Sequence, residues 1–501
     1  MKWGVRFVGM KWIAAILLAL FTIAPVMAAV SYSQPVTITI GGLLPLTGDL
    51  QSYGERANAA VEFAVQEMNQ YLEEKNAWFR LNLVVEDTQT KPDVAVQKLS
   101  SLVAQGVKFV VGPMTSAEVK KVKGTADEQN VLIISPSSTA IELAIPNDNV
   151  FRFCPADDVQ SKAIGALAEK LGLKAVVIIN RADTWGNGLM EATKKVLQDR
   201  GVEVAKVYSY NAESPAFSSI ATNLNDELGK LLKEYKPNEV AVILIAFNEA
   251  KDLFIEARKY PNTGKVAWIG SDGTALLTEI VSDPVSGEFA SKVLFLNPIF
   301  SPAATDEQAK VAQYVKQKLG VDPDAYALAA HDAVVAIALA ILQAGQTDDM
   351  DQLVNKVKQL IPQVVQSDEF AKYAATGKFP LNDAGDRATA DYDLWVVMKT
   401  GAKYDWVKAG QYKGLEDKVV FIKLPNGKTY LDLFQETFAP APSPTKTTTA
   451  APAPTTTTAS PGETAKTTTT EEKKGGVSTG LIVGIIIIII IIIAAIVFAK
   501  K

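Results

Sequence analysis

The stretch VTITIGGLLPLTGDLQSYGERANAAVEFAVQEM, residues 36–68, decides the fold class. It opens on Val36-Thr37-Ile38-Thr39-Ile40, a β-branched run that reads as a strand. A glycine- and proline-bearing turn follows. From Ser52 to Glu73 the apolar residues Ala57, Ala60, Val61, Ala64, Val65, Met68 and Leu72 recur at helical spacing. Working outward, the alternation continues: strand at 79–86, helix at 92–105, strand at 107–111, helix at 116–129, strand at 131–134. It restarts at Asp157 with a helix, then strands at 175–179, 202–208, 240–246 and 266–269 separated by helices. Continuous apolar strands between helices predict parallel sheets covered on both faces. Two such series predict an α/β protein of two doubly wound lobes. Helical patterns at 305–319, 326–342 and 350–360, then strands at 394–398 and 419–423, predict that the chain returns to the first lobe and then to the second. The expected parts are 36–155 and 299–385 for the first lobe, and 156–298 and 386–436 for the second. Three crossings make a hinge.

The chain has 501 residues, a formal net charge of −5, one cysteine (Cys154) and one histidine (His331). The acidic balance argues against a nucleic-acid partner. A single cysteine excludes an internal disulfide and a thiolate zinc cage. A single histidine excludes a multi-histidine metal site, and His331 itself reads as a packed helix residue.

Both ends of the sequence predict that the globular part lies outside the cell. Lys2, Arg6 and Lys11 precede an apolar run from Trp12 to Val26 and small residues at Ala28 and Ala29, which predicts a secretory signal at 1–29. Residues 480–499 are apolar and contain an isoleucine run from Ile485 to Ile493; Lys500 and Lys501 follow. That length suits one membrane span with the C-terminus cytoplasmic and the globular part extracellular. Between them, 439–479 is rich in Pro, Thr and Ala, the composition of a disordered and glycosylated or bare stalk.

In open parallel sheets, ligands bind beyond the carboxyl ends of the strands. The first turn, Gly41 to Gly54, lacks the pattern of a phosphate loop. Ser116, Ser137 and Thr139 follow the third and fourth strands, where hydroxyls and helix N-termini suit an anion or serve as plain caps. In the second lobe, Trp185, Phe247 and Asp272 stand at strand ends and read as a closing half-site or as packing and turn residues. The carboxylate suits an ammonium, and the aromatics suit an apolar tail.

Five motifs in order carry a resemblance: Pro45-Leu46-Thr47-Gly48 through Tyr53-Gly54; Val110-Val111-Gly112-Pro113; Ile134-Ser135-Pro136-Ser137-Ser138-Thr139; Phe151-Arg152-Phe153 leading to Asp157; and Trp185-Gly186-Asn187-Gly188. Over residues 36–425 the chain resembles the type I periplasmic binding proteins, and within them the branched-chain amino acid binding proteins of ABC transporters. The resemblance implies that Ser116, Ser137 and Thr139 hold a ligand carboxylate and that Asp272, with Asp157 nearby, meets its amino group. Tyr53, Trp185 and Phe247 would line the side-chain pocket. It further implies no cofactor, no metal, no enzymatic step, and an ABC permease and ATPase as partners. The C-terminal anchor suits a cell without an outer membrane, such as an archaeon. A departure stands at His331-Asp332-Ala333, where the family often has tyrosine. A sensory ectodomain, or a receptor for an amide, a urea-like solute or a short peptide, are the alternatives.

Overall fold

A computed structural model describes residues 34–439; the signal, almost all of the stalk and the membrane span expected from the sequence lie outside them. The first lobe is built on a five-stranded, wholly parallel sheet. Its strands are β1 (Val36–Leu44), β2 (Phe79–Asp87), β3 (Phe109–Val111), β4 (Leu132–Ser135) and β5 (Val150–Arg152), in the order β2-β1-β3-β4-β5. The helix Gln51–Glu74 crosses over from β1 to β2. Its start is pressed against the preceding turn: a Cβ on Gly54 would lie 2.0 Å from the Pro45 carbonyl oxygen. Only glycine allows that approach, and it sets Tyr53 at the mouth of the sheet.

The second lobe carries eight strands: β6 (Ala175–Arg181), β7 (Glu203–Tyr210), β8 (Val240–Ile245), β9 (Ala267–Ile269), β10 (Leu296–Ser301), β11 (Asp391–Thr400), β12 (Lys403–Lys413) and β13 (Lys418–Phe421). Their order is β13-β12-β11-β10-β9-β8-β6-β7. Strands β6 and β8 are buried along their whole length, as their unbroken apolar runs require. The expectation of a purely parallel sheet needs correction here. Strands β10 to β13 pair antiparallel. Strands β11 and β12 are joined by the tight turn at Gly401, which has φ +66°, and such a short connection can only join antiparallel neighbours. Strand β10 also keeps the chain in the second sheet to Ser301, three residues past the expected crossing.

The helix Ala325–Ala344 has a mean hydropathy of 2.0 over its most apolar window, enough to cross a membrane, but 94% of that window is buried. It is a core helix, packed on the helix Gln51–Glu74 and on β3, β4 and β10. At the crossings, the Arg152 N–H donates to the Gly385 carbonyl and the Arg387 N–H donates to the Arg152 carbonyl. The Arg152 side chain grips Asp386 through Nε (2.6 Å) and Nη2 (2.5 Å), with both side chains 1% exposed. The Arg387 guanidinium lies 5.3 Å from the Phe300 ring at the third crossing.

Candidate functional site

The carboxyl ends of both sheets face one another across a cavity with 330 Å³ of atom-free space, its mouth included.

On the first lobe, Thr115 caps the helix Ser116–Glu128. Its Oγ1 accepts from the Glu118 N–H at 3.2 Å, and Glu118 Oε2 accepts from the Thr115 N–H at 3.0 Å. With the capping duty taken by Thr115, Ser116 is free for another role. Its Oγ accepts from the Ala140 N–H at 3.1 Å, which leaves the hydroxyl proton available to the cavity. The Ser116 backbone N–H, in the first turn, has no intrahelical acceptor. Ser137 also lines the cavity, but its hydroxyl donates to the Met114 carbonyl at 2.7 Å. In this arrangement it offers lone pairs rather than a proton, so the expected donation to a carboxylate is not set up there. Thr139 is buried and lies outside the cavity wall; its carbonyl accepts from the Asp157 N–H at 2.9 Å.

On the second lobe, Asp272 lines the cavity and is 3% exposed. Its Oδ2 accepts from the Tyr326 hydroxyl at 2.5 Å and its Oδ1 from the Gly273 N–H at 2.9 Å. Asp157 stands one layer behind, fully buried and outside the cavity wall. Gln160 joins the two acids: its Nε2 donates to Asp157 Oδ1 at 3.3 Å, and its Oε1 accepts from the Asp272 N–H at 2.9 Å. Burial pushes both carboxyls above the ordinary carboxylate range, and the charge of Asp272 pushes Asp157 further. Two coupled acids in a dry site gain from a cation placed against them.

The rings form the apolar wall. Trp185 stacks on Phe247 with centroids 4.8 Å apart and planes at 17°. The Arg181 guanidinium sits 3.8 Å from the Phe247 centroid and is held by Asp183 and Glu249. Behind the stack, a Cβ on Gly273 would meet Trp185 Cη2 at 2.5 Å. Tyr53 meets Tyr326 edge to face, with centroids 5.9 Å apart.

Several bonds cross the cleft. The Tyr53 hydroxyl reaches the carbonyls of Asp272 (2.8 Å) and Ala275. The Ser52 hydroxyl donates to Glu279 Oε2 at 3.1 Å. Arg56 donates to the Leu276 carbonyl at 3.1 Å and to Thr278 Oγ1 at 2.9 Å. Asp49 lies 3.6 Å from Arg181 Nη2. The lobes are closed.

Of the eight residues expected at the site, Tyr53, Ser116, Ser137, Trp185, Phe247 and Asp272 share this cavity, while Thr139 and Asp157 stand behind it. Sequence reasoning missed Tyr326, Gln160 and Met114. Tyr326 follows the N-cap Asp324 of its helix, a signal that placed it at a helix start but not at a cleft. His331, expected to be a packed helix residue, is fully buried with Nδ1 3.1 Å from Asp332 Oδ1.

A sequence profile described as "Receptor family ligand binding region" matches residues 56–400. This chain belongs to that family. An uncharacterised protein of Methanocaldococcus jannaschii is 33% identical over 383 residues, covering 74% of this chain and 90% of its own length. The leucine-, isoleucine-, valine-, threonine- and alanine-binding protein of Pseudomonas aeruginosa is 25% identical over 392 residues, covering 77% and 96%. Among solved structures, the branched-chain amino acid transporter substrate-binding protein LivJ of Streptococcus pneumoniae, in complex with isoleucine, superposes with a TM-score of 0.58. It is 21% identical and covers 74% of this chain and 99% of its own. The leucine-binding protein LivK of Thermotoga maritima gives 0.59 at 20% identity, covering 74% and 97%. The fold is that of the type I periplasmic binding proteins.

Proposed function

We propose that this chain is the solute-binding component of an ABC importer and that its ligand is an amino acid with an apolar side chain, branched-chain or similar. One observation carries the reading: Asp272, buried and oriented by Tyr326 and Gly273, faces the Ser116 hydroxyl and helix start across a cavity walled by the Trp185–Phe247 stack. A zwitterion divides itself over such a site. Its ammonium meets Asp272, its carboxylate meets the Ser116 hydroxyl and helix N-terminus, and its side chain meets the rings. The relative from Pseudomonas aeruginosa and the two structural neighbours, each named for branched-chain amino acids, support the same ligand class.

The cycle needs no bond to be made or broken. The ligand settles on one lobe of the open form, rotation at the crossings brings the other lobe over it, and water is excluded. The ties from Tyr53, Ser52, Arg56 and Arg181 hold the closed form that a permease would recognise. Import is then driven by a separate ATPase. A signal at 1–29 would direct the chain across the membrane, and a stalk at 439–479 with a span at 480–499 would hold the lobes outside it, facing that permease.

Calorimetry on the full chain tests the reading with leucine, isoleucine, valine and alanine beside their deaminated analogues. Binding of the amino acids at one per chain, with loss for the analogues lacking the ammonium, is the expected result. Equal binding of both sets would refute the role of Asp272; binding of neither would refute the ligand class.

A further inference from the structure

A second constellation lies in the first lobe, away from the cleft. Three helices contribute one side chain each: Glu67 from Gln51–Glu74, Glu307 from the first turn of Asp306–Leu319, and His331 from Ala325–Ala344. One donor atom from each lies within 4.8 Å of the other two. His331 is fully buried and the Glu307 side chain is 1% exposed. The inward atoms Glu67 Oε2, Glu307 Oε1 and His331 Nε2 have no hydrogen-bond partner.

The outward atoms are all engaged. Lys310 Nζ takes the other oxygen of each acid, at 2.6 Å from Glu307 Oε2 and 3.4 Å from Glu67 Oε1. His331 Nδ1 lies 3.1 Å from Asp332 Oδ1. Asp332 in turn accepts from the N–H groups of Ala375 (2.7 Å) and Thr376 (2.9 Å) and from the Thr376 hydroxyl (2.6 Å). A carboxylate held by that many donors is an acceptor toward the imidazole, so the neutral ring carries its proton on Nδ1. Its Nε2 lone pair is then turned toward two carboxylate oxygens, 3.9 Å from Glu67 Oε2. Three lone pairs converge in a dry place, with the Phe63 ring stacked on the imidazole at 5.9 Å. Buried acceptors facing one another without a donor are costly.

We infer that Glu67, Glu307 and His331 form a binding site for one divalent transition-metal ion of the zinc class. One imidazole nitrogen and two carboxylate oxygens are a donor set such an ion takes, with water as the fourth ligand. The Asp332–His331 pair supplies the carboxylate–histidine arrangement that orients a metal-bound imidazole. Donors at 2.0–2.2 Å from a tetrahedral ion stand about 3.4 Å apart. The three donors lie within 4.8 Å of one another, at most about 1.4 Å more than this, and the His331 Nε2–Glu67 Oε2 pair at 3.9 Å exceeds it by about 0.5 Å, so side-chain rotation of the two glutamates would draw the set in. The ion would bolt together the helices that carry Tyr53 and Tyr326 to the ligand cleft. The inference is independent of the ligand proposed for that cleft.

The test uses the full chain in detergent, stripped with a chelator, titrated with ZnCl₂ by calorimetry and with CoCl₂ by visible absorption. One ion per chain is expected, with the intense bands of four-coordinate cobalt. His331→Ala is expected to weaken binding by roughly 100-fold or more, at least what loss of an outer-shell partner costs. Glu67→Gln, at the least buried edge of the site, is expected to do the same with an unchanged circular dichroism spectrum, and it decides the matter if His331→Ala fails to fold. Absence of saturable binding in the parent chain would overturn the inference. Binding unchanged in the folded variants would overturn it too, by placing the ion elsewhere.

Discussion

Replacing Asp272 by Asn removes a charge and almost no volume. The Gly273 N–H can still donate to the amide oxygen at the Oδ1 position, and the Tyr326 hydroxyl can turn to accept from the amide NH2 at the other, so the cavity keeps its shape. What changes is the partner of a ligand ammonium. A unit charge pair at ~3 Å in an effective dielectric of ~20 is worth about 5–6 kcal/mol before the cost of removing both ions from water. A buried charge-assisted pair that loses one member costs about 2–5 kcal/mol. At about 1.4 kcal/mol per decade, this is a loss of roughly 30- to 5,000-fold in amino-acid affinity. Calorimetry reads it directly, and a deaminated analogue provides the control, since its affinity should hold or rise. An affinity for the amino acid within threefold of the parent would refute the reasoning, because no buried ammonium could then rest on this carboxylate.

Three further expectations concern stability and closure. Asp386→Ala strands the buried Arg152 guanidinium at the hinge and should cost about 3–5 kcal/mol in chemical denaturation, whereas Arg152→Met with Asp386→Leu should recover most of it; a single-variant loss under 1 kcal/mol would contradict the burial. Gly273→Ala drives a methyl into Trp185, the Ala246 carbonyl and Phe247, at 2.5, 2.6 and 2.9 Å; overpacking of about 1–3 kcal/mol should appear as a lowered melting temperature together with weakened ligand binding. The pH dependence follows from Asp272 and Asp157. Both carboxyls are raised in the folded state, so the native form binds more protons than the unfolded one, and the stability of the unliganded protein falls as pH rises from about 4 through the raised values. Melting curves across that range should show a shallower fall in Asp272→Asn than in the parent; parallel curves would sink the assignment.

The parts of the fold that were plain in the sequence are those where burial is complete. Strands β6 and β8 are apolar at every position because both faces are covered, and such runs cannot be mistaken for loops. Strand β12 was missed for the opposite reason. Lys403-Tyr404-Asp405-Trp406 alternates, one face is half exposed, and no apolar run marks it. Strands β11 and β13 were legible at 394–398 and 419–423, but their antiparallel pairing, which needs β12 between them, went unread with it. At the site, residues next to strand ends were found because topology says where to look. Tyr326 and Gln160 were not: Gln160 sits on a neighbouring helix of the same lobe, and Tyr326 on a helix of the returning segment that only the closed packing brings to Asp272. Ser137 shows a further limit. Its place was foreseen, but the direction of its proton depends on the Met114 carbonyl, which no spacing encodes.

The crossings have a bearing on how the chain is made. The first sheet is complete once Arg152 has been synthesised, but the helix Ala325–Ala344 that covers it comes about 170 residues later, a delay of roughly 10–30 s at ordinary translation rates. During that interval β3 and β4, buried along their length in the finished protein, have an uncovered face, while the second lobe's first strands are already collapsing. Neither lobe can be finished before the other has largely been made. A chain released early at any point before Ala344 therefore exposes an apolar sheet, which makes such fragments natural clients for chaperones and proteases rather than half-working receptors.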